Sequence, residues 1–362
     1  MTLPPENFND GYYHIGKDIE SYPDAVVFIV WSRRGPGKTY SALRYPYHKF
    51  KTLYLKRTNK DVKTICEYDG DLNMDPSPWV PLNRDFGINV KPRLLKDGFG
   101  AFYDADPDGH PVGSVVNYVA SLNAIKTIKG MDLSDAEWII FDEFIPQAGE
   151  VVKKAEGEML LNLFETVNRD RRKRGRPGLK LILFANAEEI STYITNALGV
   201  VDTMAEMQAA GINILYDEKR RILFHHITTA DLPMAEVELQ DMYQVMQGTA
   251  WAEKSFGGMF SSNDFSAVKQ QSLKHMRCLY HLKYRRQNNA YIYLSNKTGC
   301  FYMSSRPGSF IESYDLDREN QQKKFYYDHV LQLRDACIND RLLFERYSYY
   351  DLIINYTKFY DI

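Results

Sequence analysis

The sequence predicts an α/β fold with a mostly parallel sheet, followed by a smaller α+β domain. Three observations support this prediction. Over the first two-thirds of the 362 residues, short apolar runs alternate with amphipathic segments, which is typical of parallel α/β proteins. A glycine-containing turn joins the first apolar run to a helical segment. After about Gly199 the pattern changes to strands that alternate apolar and polar residues between Asn and Gly turns.

Four continuous apolar runs are predicted strands, because strands covered on both faces lack a polar alternation. They are residues 25–31, 52–57, 137–144 and 179–187. Helical segments are predicted over residues 38–50, 159–174 and 190–197. A polar insert, roughly residues 69–113, separates the second and third strands, and its Pro-Asp-Gly predicts a hairpin tip.

The last third of the chain predicts a different arrangement. Residues 213–227 form two short strands about a charged turn, residues 276–305 form an antiparallel meander, and two helical stretches close the chain. We predict a first domain over residues 1–228, a linker element over 229–262 with a helical segment at 234–258, and a C-terminal domain over 263–362.

Composition narrows the class of protein. The formal net charge is −2, so nucleic-acid binding would have to come from local basic patches. The four cysteines form no CxxC pair, which favours a reducing compartment over disulfides or zinc. The polar, acidic N-terminal segment predicts no signal peptide, and no apolar run approaches the roughly 20 residues of a membrane span. We therefore expect a cytosolic protein.

The segment "SRRGPGKT" (32–39) matches the phosphate-binding loop G-x-x-x-x-G-K-[ST], except that Ser32 replaces the first glycine. Backbone N–H groups of such a loop surround a polyphosphate at a helix N-terminus. We predict that Lys38 reaches the β- and γ-phosphates and that the Thr39 hydroxyl binds Mg²⁺. The predicted nucleotide-binding residues are Ser32, Arg33, Arg34, Gly35, Pro36, Gly37, Lys38, Thr39 and Tyr40. A chance Gly-Lys-Thr in a surface turn is the alternative, which the flanking strand and helix disfavour.

Two acids, Asp142 and Glu143, follow the apolar run of the third strand. Ligands of doubly wound sheets bind at the carboxyl ends of the strands, so we expect both acids beside the phosphate loop. Asp142 is the predicted second Mg²⁺ ligand, and Glu143 the base that activates water. This favours ATP hydrolysis over a kinase, which must exclude water. A solvated strand end is the alternative interpretation.

Basic and amide side chains supply further candidates. The most basic stretch, 168–178, is a solvated loop, a DNA-facing patch or the source of an arginine finger. Arg169 is the first choice as a finger because a helical segment ends there, and Arg171 is the second. Arg34 is a candidate for a catalytic role on the nucleotide bound by its own loop. Asn186 either senses the γ-phosphate or merely forms a turn after the fourth strand.

Together these motifs resemble the DNA-packaging ATPases of small short-tailed bacteriophages (the phi-twenty-nine type), relatives of terminase large subunits. The motifs, in order, are "SRRGPGKTY", "LYLKR", "IIFDEF", "LFETVNRDRR" and "LILFANA", and the resemblance is specific over about residues 20–200. It implies an additional-strand (ASCE) P-loop ATPase core with a Walker A loop at 32–39 and a Walker B acid at Asp142. It also implies that Arg169 acts in trans, and that Lys56 and Arg57 match a basic pair near the nucleotide or DNA.

The resemblance implies partners as well as a fold. A packaging motor uses ATP and Mg²⁺ in a homo-oligomeric ring at the capsid portal protein, where it drives double-stranded DNA into an empty capsid. A structural RNA is a further candidate partner. The implied location is the host cytoplasm, transiently at the portal vertex. The alternatives are a nucleotide-dependent switch or scaffold and a small-molecule kinase, neither acting on DNA.

For the C-terminal domain the resemblance implies a vestigial RNase H-like nuclease. Such nucleases need clustered acids that bind two metals, whereas residues 276–305 carry no acid. The flanking acids Asp264, Glu312, Asp315 and Asp317 make no convincing cluster. We therefore predict an inactive domain that binds nucleic acid or the portal. The basic and aromatic residues of 281–293 either bind nucleic acid or form one solvated strand face.

Overall fold

The computed structural model describes residues 3–362 apart from 9, 68–74, 125–127, 129–130, 148, 170, 230, 233–244, 247, 250–258, 261–262 and 287. They form two compact units, Met1–Leu198 with Met207–Ser262 and Gly199–Glu206 with Asn263–Ile362. Most of the predicted linker element at 229–262, including nearly all of its helical segment at 234–258, lies outside the described residues. Within the described residues, every helix is too short or too polar to span a lipid bilayer.

The first unit is built on a nine-stranded sheet with the order β3-β4-β5-β2-β6-β7-β1-β9-β8. Its strands are β1 (Val27–Ser32), β2 (Lys51–Lys56), β3 (Val90–Lys96), β4 (Phe99–Ala105), β5 (Pro111–Ser121), β6 (Ala136–Phe141), β7 (Lys180–Asn186), β8 (Ile214–Asp217) and β9 (Ile222–Ile227). The six central strands, from β5 to β9 in the sheet order, run parallel. This confirms the predicted mostly parallel α/β fold.

Strand β7 lies between β1, which leads into the glycine loop, and β6, which leads into the acid pair. One strand thus separates the two motif-bearing strands, consistent with the additional-strand arrangement that the resemblance implies. The central strands are almost entirely buried, as their continuous apolar sequences predict. The antiparallel pair β8 and β9 matches the two short strands predicted for residues 213–227.

The insert between the second and third predicted strands contains more structure than its turn-rich sequence indicates. Its hairpin tip is confirmed, because β4 and β5 are antiparallel and joined by a turn in which Asp106 N donates to His110 O (2.9 Å). However, β3, β4 and β5 also extend the main sheet, with β5 pairing parallel to β2. The insert is therefore part of the core sheet, which the prediction missed.

The helices of the first unit are α1 (Ile15–Ser21), α2 (Lys38–Arg44), α3 (Asn59–Cys66), α4 (Val80–Phe86), α5 (Glu156–Asn168) and α6 (Tyr193–Leu198), and α7 (Val201–Ala210) contributes to both units. Two predicted helices are shorter than expected. Helix α2 ends at Arg44, close to Pro46, since proline interrupts a helix. Helix α5 ends at Asn168, and Arg169 follows in an extended conformation (φ −54°, ψ 131°).

The N-terminal segment contacts the loop that follows β1 and the neighbouring strand β9. Tyr13 N donates to Pro36 O (2.8 Å), and the Tyr13 hydroxyl donates to Asp18 Oδ2 (2.7 Å). His225 Nδ1 lies 2.8 Å from the same Asp18 oxygen, while His226 stacks on Trp31 (centroids 5.2 Å apart). The adjacent histidines therefore point to opposite faces of β9 and have structural contacts, as the strand alternation predicts.

The second unit contains a five-stranded sheet with the order β13-β10-β11-β12-β14. Its strands are β10 (Met276–Tyr284), β11 (Asn288–Ser295), β12 (Phe301–Ser304), β13 (Glu312–Asp315) and β14 (Leu342–Phe344), and its helices are α8 (Glu319–Phe325), α9 (Leu331–Ile338), α10 (Tyr347–Ile354) and α11 (Tyr356–Phe359), with a π-helical turn at Tyr326–Val330. The predicted antiparallel meander is confirmed as β10-β11-β12. Strands β13 and β14 add parallel edges that the meander pattern does not indicate.

Candidate nucleotide site

The phosphate loop connects β1 to α2. Gly35 and Gly37 have φ angles of 92° and 89°, a left-handed backbone that glycine adopts without a steric penalty. A Cβ at Gly37 would also lie 3.2 Å from the Tyr12 ring, so the loop has little room for a side chain there. The loop therefore has the conformation that its glycine spacing predicts.

Lys38 is almost fully buried at the start of α2, with 8% of its surface exposed. Its Nζ donates to the hydroxyl of Ser32, to Arg33 O (3.2 Å) and to Asn186 Oδ1 (3.4 Å). Burial lowers the pKa of Lys38 to about 8, although the nearby carboxylates of Asp142 and Glu143 act in the opposite direction. Ser32, which replaces the usual glycine, thus provides a hydroxyl partner for the lysine.

The two predicted metal ligands lie side by side. Thr39 Oγ1 donates to Asp142 Oδ2 at 2.8 Å, although 103 positions separate them in the chain. The buried Tyr54 hydroxyl donates to the same carboxylate oxygen at 2.8 Å. Hydroxyl and carboxylate oxygens are the ligands that Mg²⁺ prefers, so this pair fits the ion. Tyr54 was not a predicted site residue, because it sits inside an apolar run with no motif of its own.

Glu143 occupies a strained position beside Asp142. Its φ of 59° places a non-glycine residue in the left-handed region, which costs energy and is concentrated at functional sites. Its carboxylate is about half exposed, accepts from Gln147 Nε2 (3.3 Å) and lies 3.6 Å from Lys56 Nζ. Lys56 Nζ also lies 3.8 Å from Asp142 Oδ2, so it bridges the acid pair.

The buried side chain of Arg57 binds the backbone of this strained turn. Its Nη2 donates to Glu143 O (2.9 Å) and Phe144 O (3.1 Å), and its Nη1 pairs with the buried carboxylate of Glu156. Only 9% of Arg57 is exposed. The resemblance indicates that Lys56 and Arg57 form a basic pair near the nucleotide or DNA. In the structure Lys56 lies beside the acid pair, whereas Arg57 is buried and positions the backbone of the acid turn.

A cavity of about 500 Å³ opens between the loop and the acid pair. Its walls include seven loop and helix residues from Arg34 to Tyr40, both acids, Ala185 and Asn186. Ser32 and Arg33 are not among its lining residues and are buried. Ser77, Pro78 and Pro81 of the insert also line it, although sequence reasoning had assigned the insert no part in the site.

The two arginine-finger candidates differ sharply in environment. Arg169 is exposed at the end of α5 and is not among the cavity-lining residues of its own subunit. Arg171 is buried, and its guanidinium donates to Ser134 O (2.7 Å), Ala136 O (2.6 Å) and Pro177 O (3.0 Å). Arg171 is thus held by backbone carbonyls next to β6, and the structure argues against it as the second choice for a finger.

The C-terminal acids are held by separate partners. Glu312 accepts from the Tyr314 hydroxyl, Asp317 from Arg286 N (2.8 Å), and Asp264 from Ser266 N (2.8 Å). Asp315 lies 3.3 Å from Arg318 Nε. In the described part of the chain, none of the four belongs to a group of three candidate metal ligands.

Comparisons with known proteins bear on the fold. No protein-family model matches the chain, and neither does any curated protein. Among solved structures, the bacteriophage Phi-29 viral genome packaging motor assembly contains a similar chain. Its TM-score is 0.62 at 16% identity, over 96% of this chain and 98% of that one. The Phi-28 gp11 DNA packaging motor is similar with a TM-score of 0.55 at 16% identity, over 93% and 94% of the two chains.

These likenesses extend over nearly the whole of both chains. At this level of identity they show the fold. The resemblance predicted from the motifs is therefore confirmed at the level of the fold, and beyond the approximate 20–200 range in which the motifs are specific.

Proposed function

We propose that this chain is an ATP-hydrolysing motor that moves double-stranded DNA into a preformed viral capsid. The observation that carries the proposal is the 2.8 Å contact between Thr39 and Asp142, which joins the Walker A loop and the Walker B acid at one cavity. Both structural neighbours are named as packaging motors. An ATPase site within that fold favours a motor over a kinase or a scaffold.

The residues at the cavity have complementary roles in hydrolysis. Lys38 would bind the β- and γ-phosphates, and Asn186, bonded to Lys38, would orient it. Thr39 and Asp142 would hold Mg²⁺, which neutralises charge on the phosphates when bound. Glu143 would accept a proton from the attacking water, since its carboxylate reaches the cavity from the adjacent turn. Tyr54 fixes the orientation of the Asp142 carboxylate.

Assembly into a homo-oligomeric ring would complete the site. The exposed Arg169 has no place in the cavity of its own subunit, which suits a residue that meets the nucleotide of a neighbour. Arg34 lines the cavity and would act on the nucleotide in cis. The portal protein and double-stranded DNA are the proposed partners, and a structural RNA is a further candidate.

In this proposal the first unit corresponds to an ATPase domain over residues 1–228, and the second unit corresponds to a C-terminal domain over residues 263–362. We propose that the latter has a vestigial RNase H-like fold without nuclease activity. The separate partners of Glu312, Asp315 and Asp317 support this, because two-metal nucleases need carboxylates that converge.

ATP turnover with and without duplex DNA tests the function. We expect duplex DNA to stimulate turnover, because a motor couples hydrolysis to its track. Particle size, followed in parallel, should increase as rings assemble on the DNA. A kinase or a protein-binding switch would show turnover that is indifferent to DNA. That result, in a preparation that hydrolyses ATP and forms rings, would overturn the motor assignment.

A further inference from the structure

The insert reaches the nucleotide cavity through a short segment that ends in the first turn of α4. Ser77, Pro78 and Pro81 form one wall of the cavity together with Tyr40, which follows the phosphate loop. The remaining lining belongs to the loop, the acid pair and the end of β7. The insert therefore contributes a part of the cavity that the nucleotide-binding motifs do not account for.

This wall is anchored on both sides. Trp79 is fully buried against Tyr47 (ring centroids 5.4 Å apart) and Phe102 (6.4 Å). On the chain before it, Lys91 Nζ donates to Asp75 Oδ2 (2.8 Å), and Asp75 Oδ1 accepts from Ser77 N (3.0 Å). The two prolines restrict the backbone further. The segment is therefore preorganised before any ligand binds.

Helix α4 also fixes Tyr40. The Tyr40 hydroxyl donates to Asp85 Oδ2 at 3.1 Å, and the Arg44 guanidinium lies over the Phe86 ring at 4.9 Å. The ring of Tyr40 is thus held at the cavity by residues of the insert.

The direction in which a nucleotide would lie in the cavity decides which part of it this wall can contact. Lys38, Asp142 and Glu143 mark the end of the cavity for the terminal phosphates, if the proposed function holds. The loop N–H groups would hold the α- and β-phosphates, so the nucleoside would extend away from the acid pair, toward the part of the cavity that the insert lines. Tyr40 belongs to that part of the cavity, because its hydroxyl donates to Asp85 of α4, the helix that also carries Pro81.

We propose that Tyr40, Pro78 and Pro81 form the nucleobase seat, which accepts a purine by ring contact and discriminates little between adenine and guanine. Strong base discrimination needs polar groups that would be left unpaired by the wrong base. Neither proline has an N–H, and the Tyr40 hydroxyl is engaged with Asp85. Ser77 Oγ accepts the Trp79 N–H (3.2 Å), and its O–H could donate to N3 or N7 of either purine, so Ser77 does not distinguish adenine from guanine. This inference rests on the proposed function and specifies how that site binds its nucleotide.

The test compares ligands with and without a base, using the full chain and Mg²⁺ in titration calorimetry. Tyr40→Ala should weaken ATP and GTP by about tenfold, the value of one lost stacking contact. Binding of inorganic tripolyphosphate should change less than about twofold, because it lacks a base. Tyr40→Phe should restore the affinity lost in Tyr40→Ala. Pro78→Ala should act like Tyr40→Ala but more weakly, while Pro111→Ala, an exposed proline at the start of β5, serves as the control.

The outcomes separate the seat from the phosphate site. Equal losses for ATP and tripolyphosphate in Tyr40→Ala, or unchanged ATP affinity, would overturn the seat. So would GTP binding to the unmodified chain more than about 100-fold weaker than ATP, because that ratio requires polar base recognition. If Lys38→Ala leaves both ATP and tripolyphosphate binding intact, the phosphate site itself is wrong, and the proposed function fails independently of the seat.

Discussion

The two sheets of this protein differ in what their strand ends bring together. In the nine-stranded sheet, β2, β6, β7 and β1 are parallel neighbours. Their carboxyl ends place Lys56, Asp142, Asn186 and Ser32 at one edge of the sheet. Lys38 donates to Ser32 and Asn186, while Asp142 contacts Lys56 and Thr39, the residue after Lys38. In the five-stranded sheet three of the candidate acids, Glu312, Asp315 and Asp317, lie on or just after the edge strand β13, and each has its own partner.

This difference shows why residue type alone does not identify a catalytic centre. Acids are present near both sheets, but only consecutive parallel strands direct several polar side chains to the same point. The β10-β11-β12 meander reverses direction at each strand and separates its ends. We therefore expect substitutions at the first edge to have large effects and substitutions of the C-terminal acids to have small ones.

The largest expected effect is that of Lys38→Ala. It removes the ammonium group that would contact the transferred phosphate, so turnover should fall to the background rate. The measurement is phosphate release at saturating ATP, with the exposed Lys60→Ala on α3 as the matched control. Unchanged turnover in Lys38→Ala would mean that the edge of the nine-stranded sheet is not the active site.

Arg169→Ala should reduce turnover by about 10³-fold if it is a finger. Arg172→Ala, an exposed arginine in the same basic stretch, is the control and should have little effect. Mixtures of Arg169→Ala and Glu143→Gln subunits should regain activity, because some boundaries then combine an intact base with an intact finger. If every mixture stays inactive, Arg169 does not act in trans.

The affinity for ATP should depend on pH through Lys38. Burial lowers the pKa of this lysine to about 8 in the free protein, whereas a bound triphosphate favours the protonated form. Below pH 8 the lysine is already charged, and above it binding must take up a proton. The dissociation constant should therefore rise up to about tenfold per pH unit above 8. Calorimetry in buffers of different ionisation enthalpy measures the uptake; a flat profile with no uptake contradicts this assignment.

The smallest effect is expected at the C-terminal acids. Glu312→Gln combined with Asp315→Asn should change ATP turnover less than about twofold. Binding of Mg²⁺ or Mn²⁺ to the second unit should be undetectable both in the unmodified protein and in this variant. Incubation of the unmodified protein with plasmid DNA and Mn²⁺ should yield no cleavage. Cleavage that this double substitution abolishes would show that β13 carries a nuclease site and would remove the contrast between the sheets.

The motif-bearing part of the site could be predicted because its chemistry is local in sequence. The glycine loop, Lys38 and Thr39 are contiguous, and Asp142 directly follows an apolar strand. Tyr54 and Glu156 could not be predicted in the same way. Tyr54 contacts Asp142 only because β2 pairs with β6, and Glu156 reaches the site through Arg57.

The prediction of the fold also succeeded where the signal is local in sequence and failed where it depends on tertiary pairing. Buried strands with continuous apolar sequence were predicted within a few residues, since their pattern is intrinsic to each segment. The strands of the insert were not predicted, because β3 to β5 join the sheet through the pairing of β5 with β2 and lack a strong sequence pattern of their own. For the same reason the contribution of Pro78 and Pro81 to the cavity required the tertiary structure.

The left-handed backbone at Glu143 has a consequence for how this protein could be made more robust. Glycine would adopt a φ of 59° without the cost of about 1 kcal/mol or more that a carboxylate-bearing residue incurs. A search for heat-resistant variants that ignores activity should therefore find glycine at this position, and such variants should lose the proposed ATP turnover. Thermal stability and the proposed turnover would therefore favour different residues at position 143.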